Sequence, residues 1–212
     1  MPGGVADYSS GMSIPVPPEI VPGAGSDADT SWSQLDAEHK RATLLRTAGE
    51  VFARDGLDAP MPAIAAAAGA GIGSVYRQFP SKRDLLAALV VERLREMEGD
   101  VDAALASPAE PWPALTGVLW IFAERQAADH VFGEAMATVS EHADVECALA
   151  RTIVAIERLL AAARADGSVR ADATALDIRL LFAATRAAAQ LEPQGWRRML
   201  ELGIDALAAR PG

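Results

Sequence analysis

The stretch AGAGIGSVYRQFPSK, Ala68 to Lys82, decides the reading of this 212-residue chain. Gly69, Gly71 and Gly73 alternate as G-x-G-x-G. A dinucleotide-binding fingerprint needs G-x-G-x-x-G directly after a strand, and a P-loop needs Gly-Lys-Ser/Thr. Neither pattern is present, and the preceding IAAAA favours helix. The glycines therefore read as a turn between two short helices, Pro62 to Ala68 and Ile72 to Gln78. Phe79-Pro80 ends the second, because a residue before proline disfavours the helical region.

The flanking signals extend this pattern. Asp36 is placed to cap a helix from Ala37 to about Arg54, with Leu45, Ala48 and Phe52 on one face and Gly56 as its terminator. Ser81 with Asp84 reads as a capping box that opens a long helix to about Leu105. Further helices are expected over Pro113–Ala128, Phe132–Val139, Ala143–Ala165 (stopped at Gly167), Thr174–Gln190 (capped by Thr174 and Asp177) and Pro193–Ala209. The helix from Pro113 is apolar almost all round, which predicts a central, buried position. The expected fold class is all-α, with about nine helices and no strand. Half of the residues are apolar, enough for a sizeable core.

A longer helix followed by two short ones joined by a glycine turn is a tri-helical helix-turn-helix unit. From about His39 to Leu86 the chain resembles the DNA-binding domain of the TetR family of bacterial transcriptional regulators. The resemblance rests on Phe52 and Gly56 in VFARDGLDA, on Ile64-Ala65 and Ala68-Gly69 around the turn, and on GIGSVYRQFPSK, then Leu85. Its specific part is Tyr76-x-x-Phe79 followed by Lys82. It implies an N-terminal DNA-binding domain over 35–84, a C-terminal ligand-binding and dimerisation domain over 85–212, and three kinds of partner: a palindromic double-stranded DNA operator, a small-molecule effector and a second copy of the chain. The expected function is a ligand-released repressor, neither an enzyme nor a membrane protein, with no cofactor.

The resemblance also distributes roles, which physical chemistry refines. Tyr76 and Lys82 suit phosphate oxygens, Lys82 standing at a helix N-terminus. Ser74 and Gln78 suit base edges. Arg77 reaches phosphate or solvent. The chain departs from the family pattern in two places. Pro60-Met61-Pro62 replaces the usual Ser or Thr at the first short helix, and Gly71-Ile72-Gly73 opens the recognition helix without a polar side chain. Close backbone approach at Gly71 and Gly73, and contact of Ile72 with a thymine methyl, are expected there instead, with shape readout carrying more of the specificity.

In the C-terminal part, Trp120, Phe122, Arg125, Phe132, Met136, Arg151 and Phe182 are the candidate pocket residues. Ala184, Ala188, Trp196, Met199, Leu200, Gly203 and Leu207 are the candidate dimer interface, unless the stripe only packs against its own domain. Core packing remains the ordinary role of each aromatic residue.

Charge and composition bound the alternatives. The net charge of −10 is unevenly spread. Residues 1–35 hold four acids and no Lys or Arg, residues 36–85 sum to +1, and residues 86–212 sum to −7. The only segment that is not acidic is thus the one holding the opening motif. Residues 1–34, rich in Pro, Gly, Ser and Asp, read as a disordered acidic tail. Cys147 is the sole cysteine and is expected as a buried thiol. His39, His130 and His142 are too scattered for a metal site. No signal peptide or membrane span is legible, so a cytoplasmic location is expected. Two alternatives remain: a helical-bundle enzyme, for which no catalytic set is found, and an interaction module that binds no DNA.

Overall fold

The computed structural model describes Trp32 and residues 35–209, His130 by its backbone alone. The tail expected over 1–34 lies outside these residues except at Trp32, which is half-buried against the core of the N-terminal unit. Nine helices follow among the described residues: α1 Ala37–Asp55, α2 Met61–Ala67, α3 Ile72–Gln78, α4 Lys82–Ala106, α5 Pro111–Ala128, α6 His130–Val139, α7 Ala143–Ala165, α8 Ala175–Leu191 and α9 Gly195–Leu207. The only β-type pairing among them is an isolated antiparallel bridge, Val169 to Ala208, which ties the residue after α9 to the α7–α8 loop.

Local chemistry sets the helix ends. The Asp36 carboxylate accepts the His39 amide at 2.9 Å, satisfying a first-turn donor of α1. Gly56, at φ 81°, turns the chain out of α1 while its amide donates to Phe52 O. The capping boxes at Ser81/Asp84 and Thr174/Asp177 both form. Helix α2 begins one residue early, at Met61, and three starts shift by two residues: α6 begins at His130, not Phe132, and α5 and α9 move as well. Helix α5 begins at Pro111, because Pro111 and Pro113 both fit a first turn, where amides lack helical partners anyway. Helix α9 begins at Gly195, not Pro193, and a Cβ on Gly195 would stand 2.6 Å from Ala188 O. Only glycine lets α9 start so close to the end of α8.

Two buried clusters share two long helices. The first joins α1, α2, α3, the first half of α4, α6 and the start of α7 around Phe52, Ile64, Val75, Phe79 and Leu85. The second joins the end of α4 with α5, α7, α8 and α9 around Leu115, Leu119, Leu159, Ile178 and Leu200. Helices α4 and α7 run parallel through both. Asp84 meets His142 (3.4 Å), Glu98 meets Arg151 (3.4 Å) and Asp102 meets Arg158 (2.9 Å), so partners advance together along the two helices. Each of these two helices contributes side chains to both cores.

Helix α5 is not buried all round. Leu115, Val118, Leu119, Phe122 and Ala123 face the core, but Gly117, Ile121 and Glu124 share a face that reaches solvent. Nor is Cys147 buried: it lies on the exposed side of α7, off the inward stripe Val145, Ala148, Thr152, with Arg151 Nη1 3.3 Å from its sulfur. Among the described residues no helix is long and apolar enough to cross a membrane, and no three potential ligands gather as a metal site.

Candidate nucleic-acid interface

The turn between α2 and α3 is built by one glycine and two backbone bonds. Gly69 adopts φ 62°, and the Ala70 amide reaches back to Ala65 O at 2.9 Å. This is a Schellman-type end, which a residue with a Cβ forms only under strain. The chain then enters α3 at Gly71, whose carbonyl accepts the Ser74 amide at 2.8 Å.

Helix α3 divides its side chains by the helical period. Val75 and Phe79 are fully buried and join the first core, where α3 packs chiefly on α2. On the far side, Ile72 and Tyr76 form one i, i+4 pair, 41% and 46% exposed, large fractions for apolar and aromatic groups. Gly73 and Arg77 form another exposed pair, and no atom lies within 4 Å of where a Cβ on Gly71 or Gly73 would stand. Ser74 and Gln78 are half-buried at the flank. Arg77 Nη2 donates to Ser74 Oγ at 2.8 Å, so the two polar groups are held as a unit.

Lys82 opens α4 in the turn that follows. Lys82 is half-buried, and its ammonium lies over the edge of the first core, with Nζ 5.8 Å from the Phe52 ring centroid, a weak cation–π contact. The Ser81 amide donates to Asp84 Oδ2 (2.8 Å), and the Asp84 amide donates to Ser81 Oγ (3.2 Å). Asp84 is held below the usual carboxylate range, chiefly by the Ser81 hydroxyl; burial opposes this, and His142 adds a lesser lowering. The seven sequence-predicted residues Ile72, Gly73, Ser74, Tyr76, Arg77, Gln78 and Lys82 thus lie on α3 and the first turn of α4. Three neighbours were missed. Arg41 stacks 4.6 Å from the Phe79 ring centroid, and Trp32 and Lys40 border a hollow with Ser74, Arg77 and Gln78. Basic residues early in α1 were the available signal.

The seven candidate pocket residues are not gathered in one place. Phe122 packs on Phe182 (centroids 6.0 Å apart) and Trp120 meets Trp196 edge-on (6.1 Å). Arg125 pairs with Asp100 of α4, and Arg151 with Glu98. Phe132 and Met136 pack against the first core, not the central bundle. A cavity of about 450 Å³ does open beside them, lined by α5, α6, α8 and α9 through small and polar residues, including Ala123, Gln126, Gly133, Thr185 and Arg186, with Trp196 as its aromatic wall. Gln126 Nε2 donates to Phe182 O at 3.0 Å, so the Phe122–Phe182 pair stands directly behind it.

The candidate dimer residues also divide. Trp196, Leu200 and Leu207 are buried within their own chain. Gly203 lies where α9 crosses α8: a Cβ there would fall 2.2 Å from Leu181 Cδ1. Ala184, Ala188 and Met199 are half-buried. The apolar side chains left open are others, Leu176, Leu180 and Leu191 on α8 and Leu202 on α9.

Comparison with known proteins follows the same outline. Residues 44–89 match the sequence model described as bacterial regulatory proteins, tetR family. Among solved structures, the TetR transcription regulatory protein of Mycobacterium vanbaalenii is 32% identical, with TM-score 0.60, over 82% of this chain and 98% of that one. A TetR transcriptional regulator of Streptomyces coelicolor is 27% identical, with TM-score 0.62, over 81% and 99%. Thermus thermophilus FadR, a TetR family repressor solved with lauroyl-CoA, is 21% identical, with TM-score 0.58, over 81% and 99%, a likeness of fold. No curated protein matches.

Proposed function

We propose that this chain, which belongs to the TetR family of bacterial regulatory proteins, is a repressor that grips a palindromic operator as a homodimer and is released by a small molecule. The observation that carries the reading is the division of α3. It buries Val75 and Phe79 and turns Ile72, Gly73, Tyr76 and Arg77 outward, with Lys82 at the start of the next helix. In this reading α3 enters the major groove. Tyr76, Arg77 and Lys82 hold phosphates, Ser74 and Gln78 meet base edges, and Gly73 and Ile72 allow close approach and a methyl contact. The DNA-binding unit then spans residues 35–84 and the regulatory unit 85–212.

The dimer is proposed through the outer face of α8 and α9. Leu176, Leu180, Ala183, Ala187 and Leu191 recur at helical spacing and are exposed. A stripe of that kind on a free chain is an association surface. Packed about a two-fold axis, it would place two α3 helices on successive major grooves, about 34–36 Å apart. The effector is proposed to enter the cavity beside Trp196, a site of ordinary volume for a small ligand. It acts only through a difference in affinity between DNA-competent and incompetent states, read out as movement of α4. FadR of Thermus thermophilus, solved with lauroyl-CoA, illustrates a ligand-bound protein of this fold.

Selection from a random duplex pool tests the reading. Enrichment of two inverted half-sites about one helical turn apart is expected. A pool that gains no sequence, with folded protein, overturns it.

A further inference from the structure

A second hollow of about 570 Å³ lies on the other side of α6, between α1, α4 and α6. Its wall is apolar: Leu45 and Gly49 from α1, Leu89 from α4, and Val131, Phe132 and Ala135 from α6. Phe132 is half-buried and keeps part of its ring accessible. The rim is charged, and its pairing decides what the cleft accepts. Arg46 Nη1 is 2.7 Å from Glu50, and Arg93 Nη1 is 2.7 Å from Glu96, so both rim cations are already neutralised. Glu92 and Asp129 also border the cleft, Asp129 on the ridge it shares with the cavity beside Trp196, and neither is paired with a cation among the described residues. Asp129 Oδ1 accepts the Phe132 amide, leaving its other oxygen free. An apolar wall under a rim with two carboxylates in excess repels anions and favours cations.

We propose that this cleft is a second small-molecule site, separate from the cavity beside Trp196, and that it takes an apolar organic cation. The hydrocarbon part lies between Phe132, Leu45 and Leu89, and the charge rests between Glu92 and Asp129. The volume lies within the ordinary range for small-ligand sites. The position gives the site a consequence. Helix α6 is shared, with Val131, Phe132 and Ala135 facing this cleft and Gly133, Glu134 and Ala137 facing the other cavity. A cation held here fixes the spacing of α1 against α6, and so acts on the DNA-binding unit without entering the central bundle.

Two isosteric probes of opposite charge test this by calorimetric titration of the full chain: tetraphenylphosphonium and tetraphenylborate. The expected result is one phosphonium site per chain, at least roughly tenfold tighter than borate. Gly49→Leu should abolish it, because no atom lies within 4 Å of a Cβ at Gly49 and the new side chain fills the cleft without displacing the fold. Glu92→Lys should remove the charge preference. Ala53→Leu, at an exposed position on the same wall, repeats the block if Gly49→Leu lowers stability. Equal binding of both probes to the unaltered chain, no phosphonium binding, or binding that survives both blocking variants each overturns the proposal. None of these outcomes bears on DNA binding, which is absent from the titration.

Discussion

His142 Nε2 stands 3.4 Å from Asp84 Oδ1, and this contact ties the N-cap of α7 to the capping box of α4. The same first turn of α4 carries Lys82. His142 also accepts the Asp144 amide at Nδ1 (3.3 Å), so one imidazole is held by both helices at once. Helix α7 is thereby tied to α4 at its start as well as through packing along its length.

The first prediction concerns Asp84. Its carboxyl is held below its ordinary value, first by Ser81 and then by His142. A group lowered in the folded state stabilises above the ordinary carboxylate range, and that contribution is lost as pH falls through the lowered folded value. Asp84→Asn should therefore flatten the acid limb of stability below about pH 4, where ordinary carboxylates titrate. Ser81→Ala should cost about 1 kcal/mol at neutral pH through loss of the cap. Urea midpoints measured across pH 3–7 check both. An unchanged acid limb in Asp84→Asn would show that the carboxylate gains nothing from the box.

The second concerns Gly203. Because a Cβ would fall on Leu181, Gly203→Ala must push α8 from α9 or drive Leu181 off its rotamer. A loss of roughly 1–3 kcal/mol is expected for such overpacking. A Leu181→Ala, Gly203→Ala double variant should lose less than the sum of the two single changes, because the shortened side chain removes the clash. Thermal unfolding of the three variants reads this coupling, and strict additivity would contradict it.

The third separates folding from association. Leu200 is wholly buried in its own chain, whereas Leu180 is 59% exposed. Leu200→Asp should unfold the subunit, because an unpaired buried charge costs several kcal/mol. Leu180→Asp should leave the helical spectrum intact and shift sedimentation from dimer to monomer. If Leu180→Asp remains a dimer, the association surface lies elsewhere.

The parts of the fold that were legible in the sequence were set by local chemistry. Asp36, Gly56, Gly69, Ser81 with Asp84, and Thr174 with Asp177 each end or start a helix through bonds within a few residues, and each does so here. Periodicity alone does not decide the buried side of α3, since Val75 with Phe79 and Ile72 with Tyr76 are both i, i+4 pairs and only the first is buried; its outward residues were read from the family resemblance. The C-terminal half was less legible for two physical reasons. Periodicity shows that one face of α9 is apolar, but not whether its own chain or a partner covers it, and Trp196, Leu200 and Leu207 turned inward. Large aromatic residues mostly fill space: Phe122 packs on Phe182 and Trp120 on Trp196, whose ring alone among them lines the cavity, and the cavity opens where Ala123, Gly133 and Ala189 leave room.

Protein–DNA affinity as a function of salt, for the unaltered chain and for Lys82→Ala on operator and on random duplex, tests the central claim most directly. Each phosphate neutralised by a lysine releases counterions, so loss of Lys82 should make the slope of log affinity against log salt shallower by about one per subunit. The weakening should be the same on both duplexes, because a phosphate carries no sequence. Gln78→Ala should behave oppositely, costing roughly 1–3 kcal/mol on the operator, little on random DNA, and leaving the slope unchanged. A Lys82→Ala protein that keeps the original slope on both duplexes would contradict the placement of this turn on the DNA backbone.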